Sequence, residues 1–258
     1  LHSFPTRRSS DLHIDIEAAL ALSPAHVSHY QLTIEPGTLF AAHPPSLPQD
    51  DSIDAMLDAV QDRLGEDGFS RYEVSAYARA GHQCTHNLNY WRFGDYLGVG
   101  AGAHGKITHP PEGIYRTTQL REPRRYLAAT PASLARSRVP AADLPFEFMM
   151  NALRLIDGFD ARDYPRFTGL TWDTVAPQLE HLKRDGLLTQ ADERWQATAL
   201  GGRFLNDVLT RFLPGDAERT SSGALSIGGS RTDRRYSQAG NSATANESIT
   251  RETDQVAQ

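Results

Sequence analysis

Between residues 14 and 78 the hydrophobic period switches from helical to alternating and back, and the connections are far longer than a hairpin needs. No other feature constrains the fold as strongly. Ile14, Ala18 and Leu22 share a helical face that Ser23-Pro24 closes. Residues 27–34 then alternate as a strand, with Tyr30, Leu32 and Ile34 on one side and His29, Gln31 and Thr33 on the other. Glu35-Pro36-Gly37 supplies a turn, and the prolines of Pro44-Pro45-Ser46-Leu47-Pro48 an extended linker. From Asp51 a helix carries Ile53, Met56, Leu57, Val60 and Leu64 on one face and ends at Asp67-Gly68. Tyr72, Val74 and Ala76 mark a second strand over 72–78. The order predicts an α/β fold with parallel strands.

Residues 81–126 keep no period and are rich in glycine, histidine and aromatics, which reads as a functional loop. A second unit follows, with helices over 146–156 and 172–184 and a short hairpin of 187–190 and 194–197. Thr198 caps a last helix carrying Leu200, Phe204, Leu205, Val208, Leu209 and Phe212. Helix, helix, hairpin, helix is a winged-helix-like order. After Pro214 large apolar residues almost vanish, so 214–258 is expected to be a disordered tail. The first twelve residues resemble the translation of a sequencing-library adapter. They are expected to be foreign to the fold, with the native chain cut upstream of His13. The expected organisation is thus 1–12 foreign, 13–142 α/β, 143–213 winged-helix-like and 214–258 tail.

Composition excludes several function classes. A net charge of −6 offers no footprint for nucleic acid. Acidic Asp173, Glu180, Asp185, Asp192, Glu193 and Asp207 stand where a DNA-binding winged helix would need basic side chains. No apolar run approaches the ~20 residues of a membrane span. The single cysteine, Cys84, fits a reducing, cytoplasmic setting and cannot by itself hold an iron–sulfur cluster.

Two constellations could carry chemistry. In Cys84-Thr85-His86-Asn87-Leu88-Asn89-Tyr90-Trp91, His86 could ligate haem iron with Tyr90 and Trp91 as walls. His82 and His86 could instead form half a zinc site around Cys84, or the polar side chains could simply satisfy a loop backbone. In Gly98-Val99-Gly100-Ala101-Gly102-Ala103-His104-Gly105, glycines permit close approach of a ligand or a tight turn. The G-x-G-x-x-A pattern lacks the βαβ context of a dinucleotide fold. Gln31 lies near the C-terminal end of its strand, where barrel sites are built, although a half-buried strand glutamine is the simpler reading.

Taken in order, four segments resemble HemW-type radical-SAM haem chaperones, a branch of the oxygen-independent coproporphyrinogen oxidase-like proteins. They are Tyr30-Gln31-Leu32-Thr33-Ile34-Glu35-Pro36-Gly37-Thr38, Tyr72-Glu73-Val74-Ser75-Ala76-Tyr77-Ala78, His86-Asn87-Leu88-Asn89-Tyr90-Trp91 and the 98–105 loop. The run from Pro145-Phe146-Glu147-Phe148 to Gly186-Leu187-Leu188 resembles the same family. The H-N-x-x-Y-W element is the specific one, separating the chaperones from true coproporphyrinogen oxidases.

The resemblance implies the C-terminal part of a (β/α)6 radical-SAM barrel followed by a small helical domain. It implies haem as ligand, with S-adenosylmethionine and a [4Fe–4S] cluster in the full-length family. Acceptor haem proteins are the implied partners, with transient contact to a membrane surface. By carry-over His86 becomes the haem-iron ligand, and Asn87, Tyr90 and Trp91 shape its site. Gln31 and the backbone of Gly102, Ala103 and His104 would contact S-adenosylmethionine. The family's three-cysteine motif would lie upstream of this chain, so no radical chemistry is expected of these residues alone. The competing readings are a coproporphyrinogen III oxidase and a non-catalytic winged-helix binding module.

Overall fold

The computed structural model describes residues 9–34, 36–130 and 134–215, which form two compact units. Residues 1–8 and all but the first two residues of the expected tail lie outside the described part.

The first unit takes in the described residues up to 88 together with 155–157. Its elements are α1 (Ser9–Ala21), β1 (His26–Ser28), α2 (Leu39–Ala42), α3 (Asp50–Glu66), β2 (Ser70–Glu73), β3 (Ala76–Ala78) and the start of α4 (Thr85–Trp91). The sheet order is β1-β3-β2, and both ladders are antiparallel, which corrects the parallel pairing expected from the helix–strand rhythm. The single strand expected over 72–78 is a hairpin, bent at Val74-Ser75. That turn has no Gly, Pro, Asn or Asp to announce it. The strand expected over 27–34 shortens to three residues, followed by an isolated bridge at Tyr30.

Helix α1 also departs from expectation. It begins at Ser9, inside the segment expected to be foreign, and buries Leu12 and Ile16, with Leu20 packed alongside. Ile14 and Leu22 are 65% and 82% exposed, so the expected face is the outer one. The burying surface is α3, whose Val60 and Leu64 join the same cluster, and Arg63 of α3 donates to Glu17 of α1. The α3 face and the glycine that ends it match the periodicity; Gly68 has φ +82°.

The second unit takes in 89–154 and the described residues from 158. Its strands β4 (His104–His109), β5 (Gly113–Thr118) and β6 (Ala135–Arg138) make an antiparallel sheet around α5 (Pro123–Leu127) in the chain. Part of the stretch expected to be irregular is therefore a hairpin. Its six paired positions per strand mix His, Gly, Thr and Lys with few apolar residues, so no alternation shows.

Beyond it come α6 (Leu144–Ala152), β7 (Phe159–Asp160), α7 (Asp163–Thr168), α8 (Ala176–Arg184), β8 (Leu188–Ala191), β9 (Arg194–Ala197), α9 (Ala199–Arg203) and α10 (Leu205–Thr210). The wing hairpin turns at Asp192, φ +51°, and Thr198 Oγ accepts from the Gly201 amide at 3.0 Å. The expected last helix breaks at Phe204 into α9 and α10.

Phe148 centres the core of this unit. It is 1% exposed and meets Phe93, Phe159 and Tyr164 edge-on at 5.6, 5.4 and 5.3 Å. Phe148→Ala removes all three edge contacts and leaves a cavity, an expected loss of about 3–5 kcal/mol. Urea unfolding of the two proteins measures it directly.

Candidate functional site

The H-N-x-x-Y-W element forms α4, whose first four residues belong to the first unit and whose last three belong to the second. On the first side Cys84 and Leu88, one turn apart, pack against Tyr72, Ala76 and Ala78. His86 lies between them in sequence and is exposed. Asn87 Nδ2 donates to the Tyr72 hydroxyl at 3.1 Å, and that hydroxyl lies 2.9 Å from His26 Nε2. The His26 and Tyr72 rings also meet at 5.7 Å. Nothing local in the sequence marks this contact, because the partners are 46 and 15 residues apart.

Burial pulls the His26 imidazole below its ordinary value, partly opposed by Glu73, and pulls the more deeply buried His29 down as well. Burial pushes the Tyr72 hydroxyl up, opposed by the hydrogen bond from Asn87.

On the second side Tyr90 meets Tyr96 at 4.2 Å and Trp91 at 6.4 Å. Arg116 Nη1 donates to the Tyr96 hydroxyl at 2.9 Å and pairs with Glu147 of α6. The Arg154 guanidinium covers the Trp91 ring at 4.2 Å, while the indole Nε1 is buried with no acceptor among the described residues. Asn89 Nδ2 donates to the Asp95 carbonyl at 3.0 Å. A side chain at Gly94 would meet Asn89 Oδ1 at 2.1 Å, so glycine is required where the chain folds back beneath α4. Lys106, 2% exposed, donates to Phe93 O and Asp95 Oδ1, each at 2.9 Å.

The glycine-rich loop is largely self-satisfied. Gly102 N–H donates to Leu120 O at 2.8 Å, Ala103 N–H to Gly100 O at 3.1 Å, and Gly100 N–H to the Tyr126 hydroxyl at 3.0 Å. His104 Nδ1 pairs with Thr118 Oγ at 3.2 Å. Gly98 and Gly105 are glycines for packing, since a Cβ would sit 2.5 Å from His104 O and from Thr117 Oγ respectively. Gln31 Oε1, in the first unit, is buried and has no hydrogen-bond partner among the described residues.

The residues present do not suit an iron–sulfur cluster, because one thiol stands where three or four are needed. For S-adenosylmethionine, the unpartnered Gln31 oxygen fits a ligand donor. The Gly102 and Ala103 amides, already engaged, do not fit as donors to it. Among the described residues no three His, Cys, Asp or Glu gather into a metal site, so the zinc half-site has no completing ligands.

Residues 139–204 match the HemN C-terminal domain family. The chain is 44% identical to the protein named Heme chaperone HemW of Escherichia coli, over 83% of this chain and 56% of that one. It is 41% identical to the HemW of Haemophilus influenzae, over 83% and 55%. A bovine mitochondrial protein named radical S-adenosyl methionine domain-containing protein 1 is 33% identical over 85% and 57%. The chain thus spans a little over half the length of these relatives. Among solved structures, coproporphyrinogen III oxidase (HemN) of Escherichia coli, described as a radical SAM enzyme, superposes with TM-score 0.60. That match is at 18% identity and covers 82% of this chain and 53% of that one, which establishes the mixed α/β fold.

Two neutral, desolvated imidazoles make the first unit acid-sensitive. The unfolded chain takes protons on His26 and His29 near their ordinary value of about 6.5, and the fold resists doing so. Stability is therefore fully present above that pH and falls as the pH drops below it. Urea midpoints at pH 7.5 and 5.5 should differ, and His26→Gln with His29→Gln should shrink the difference. A midpoint that does not move between the two pH values would contradict the burial of both rings.

Proposed function

We propose a haem-handling role, and its premise is that the chain belongs to the HemW haem-chaperone family of radical-SAM proteins. In this reading it binds haem and passes it to acceptor haem proteins. The observation that carries it is the setting of His86: exposed, on a helix whose neighbouring residues 84, 87 and 88 are all held by the sheet beneath. An imidazole presented in that way can take an axial position on haem iron. Asn87, Tyr90 and Trp91, carried on the same helix, would shape the site.

S-adenosylmethionine, where it binds, supplies the family's adenosyl chemistry. Of this chain's residues, Gln31 would orient it through a carbonyl oxygen, and the ring of His104 would border it. The Gly102 and Ala103 backbone would serve as shape rather than as donors. Residues 143–213 would form the winged-helix-like part of the second unit, a reading supported by the family match over 139–204. No helix among the described residues is long and apolar enough to cross a membrane, in keeping with a cytoplasmic setting as our reading. Leu97 and Val99, 77% and 82% exposed on the glycine-rich loop, support a transient contact with a membrane surface.

The alternative, a coproporphyrinogen III oxidase, has fold likeness behind it, but the relatives of higher identity are named as chaperones.

Titration of the chain with ferric haem, followed at the Soret band, tests this reading. Wild type should saturate at one haem per chain, and His86→Ala should bind at least about tenfold more weakly with a shifted band. Equal affinity and an unshifted band in both proteins would remove His86 as the ligand.

A further inference from the structure

We infer that Tyr72 is a positioning residue for His86, held in place by His26, so that the haem ligand is set from beneath by a three-residue polar chain. The inference rests on the reading of His86 as the haem ligand.

The hydrogen-bond count supports it. A tyrosine hydroxyl has one proton to give and room to accept two. Here it accepts from Asn87 Nδ2 at 3.1 Å and lies 2.9 Å from His26 Nε2, to which its own proton can be given. With that proton given to His26, the imidazole is the neutral tautomer with its proton on Nδ1. Burial favours that same neutral form. Tyr72 packs against Cys84 and holds Asn87 by a hydrogen bond, and these two residues flank His86 in sequence.

Tyr72 is 5% exposed and sits on β2, where its carbonyl accepts from Ile156 N–H at 3.1 Å, so the anchor is itself fixed. The small side chains of Ala76 and Ala78, 0% and 3% exposed, let Cys84 and Leu88 lie close on the sheet. The direction of an imidazole on a helical turn depends on how that turn is held. Packing Cys84 before it and pinning the Asn87 side chain after it narrows the direction from which it can meet iron.

Tyr72→Phe in the 258-residue chain keeps the ring and its contact with His26 and removes only the hydroxyl. The expected result is nearly unchanged thermal unfolding, with ferric-haem affinity down about tenfold. The Soret and low-spin EPR signals should also split into a mixture of ligation states. His26→Ala should reproduce the mixture, and His26→Gln, whose carbonyl can still accept the tyrosine proton, should restore a single species.

Wild-type affinity and a single ligation state in Tyr72→Phe would overturn the inference. If Tyr72→Phe does not unfold cooperatively, the His26 pair decides: identical spectra for His26→Ala and wild type overturn it. His86→Ala in parallel separates the two claims. If it binds haem like wild type, the ligand reading fails. If it binds weakly while Tyr72→Phe does not, only the positioning role fails.

Discussion

The pleat of a three-residue strand organises the first unit. Successive side chains of β3 point to opposite faces, so Tyr77 enters the cluster under α1 and α3 while Ala76 and Ala78 face Tyr72, Cys84 and Leu88. A shift of one residue would exchange these sets, putting a tyrosine under α4 and an alanine beneath two helices. β1 obeys the same alternation: Val27 joins the helical side, and His26 reaches Tyr72 on the other. The helical side is apolar and filled. The α4 side is built of small side chains and one tyrosine hydroxyl, which lets α4 lie close to the sheet and be held by a hydrogen bond.

The second unit uses cations of low exposure for a comparable purpose. Lys106 and Arg116 stand on β4 and β5, and burial lowers the lysine while Asp95 opposes the shift. Lys106 ties the chain just after α4 to the sheet through Phe93 and Asp95. Arg116 ties Tyr96, and through it the Tyr90 ring, to Glu147 on α6. A buried ion pair adds little net stability over an apolar one, yet removing either partner strands a charge. Such pairs specify geometry, and here they specify the course of the chain around Tyr90.

How much of this could be read in the sequence depended on the range of the interaction. The wing hairpin, the Thr198 cap and the glycine after α3 are decided within a few residues, and all three were legible. The face of α1 was not, because Leu12 and Ile16 are selected by α3, some 45 residues on. The Val74-Ser75 turn is set by the pairing of β3 with β1 rather than by turn residues, so the hairpin passed for one strand. His86, Asn87, Tyr90 and Trp91 stood out because they fall in one compact motif. His26 and Tyr72 did not, since nothing local distinguishes a histidine that will meet a tyrosine 46 residues away.

The glycine-rich loop shows why a motif and a binding surface are different things. Its glycines suggested backbone amides offered to a ligand, but an amide donates once, and those of Gly100, Gly102 and Ala103 are already committed to the loop and its neighbours. A Cβ at 98 or 105 would collide with the opposing strand, so those glycines serve the packing of the hairpin itself. What such a loop can still give a ligand is contour, an imidazole at His104 and the apolar side chains of Leu97 and Val99. Recognition there would depend on shape and burial more than on hydrogen-bond direction. Among the described residues, polar atoms left without a partner, Gln31 Oε1 and Trp91 Nε1 for instance, are buried side-chain groups outside the loop.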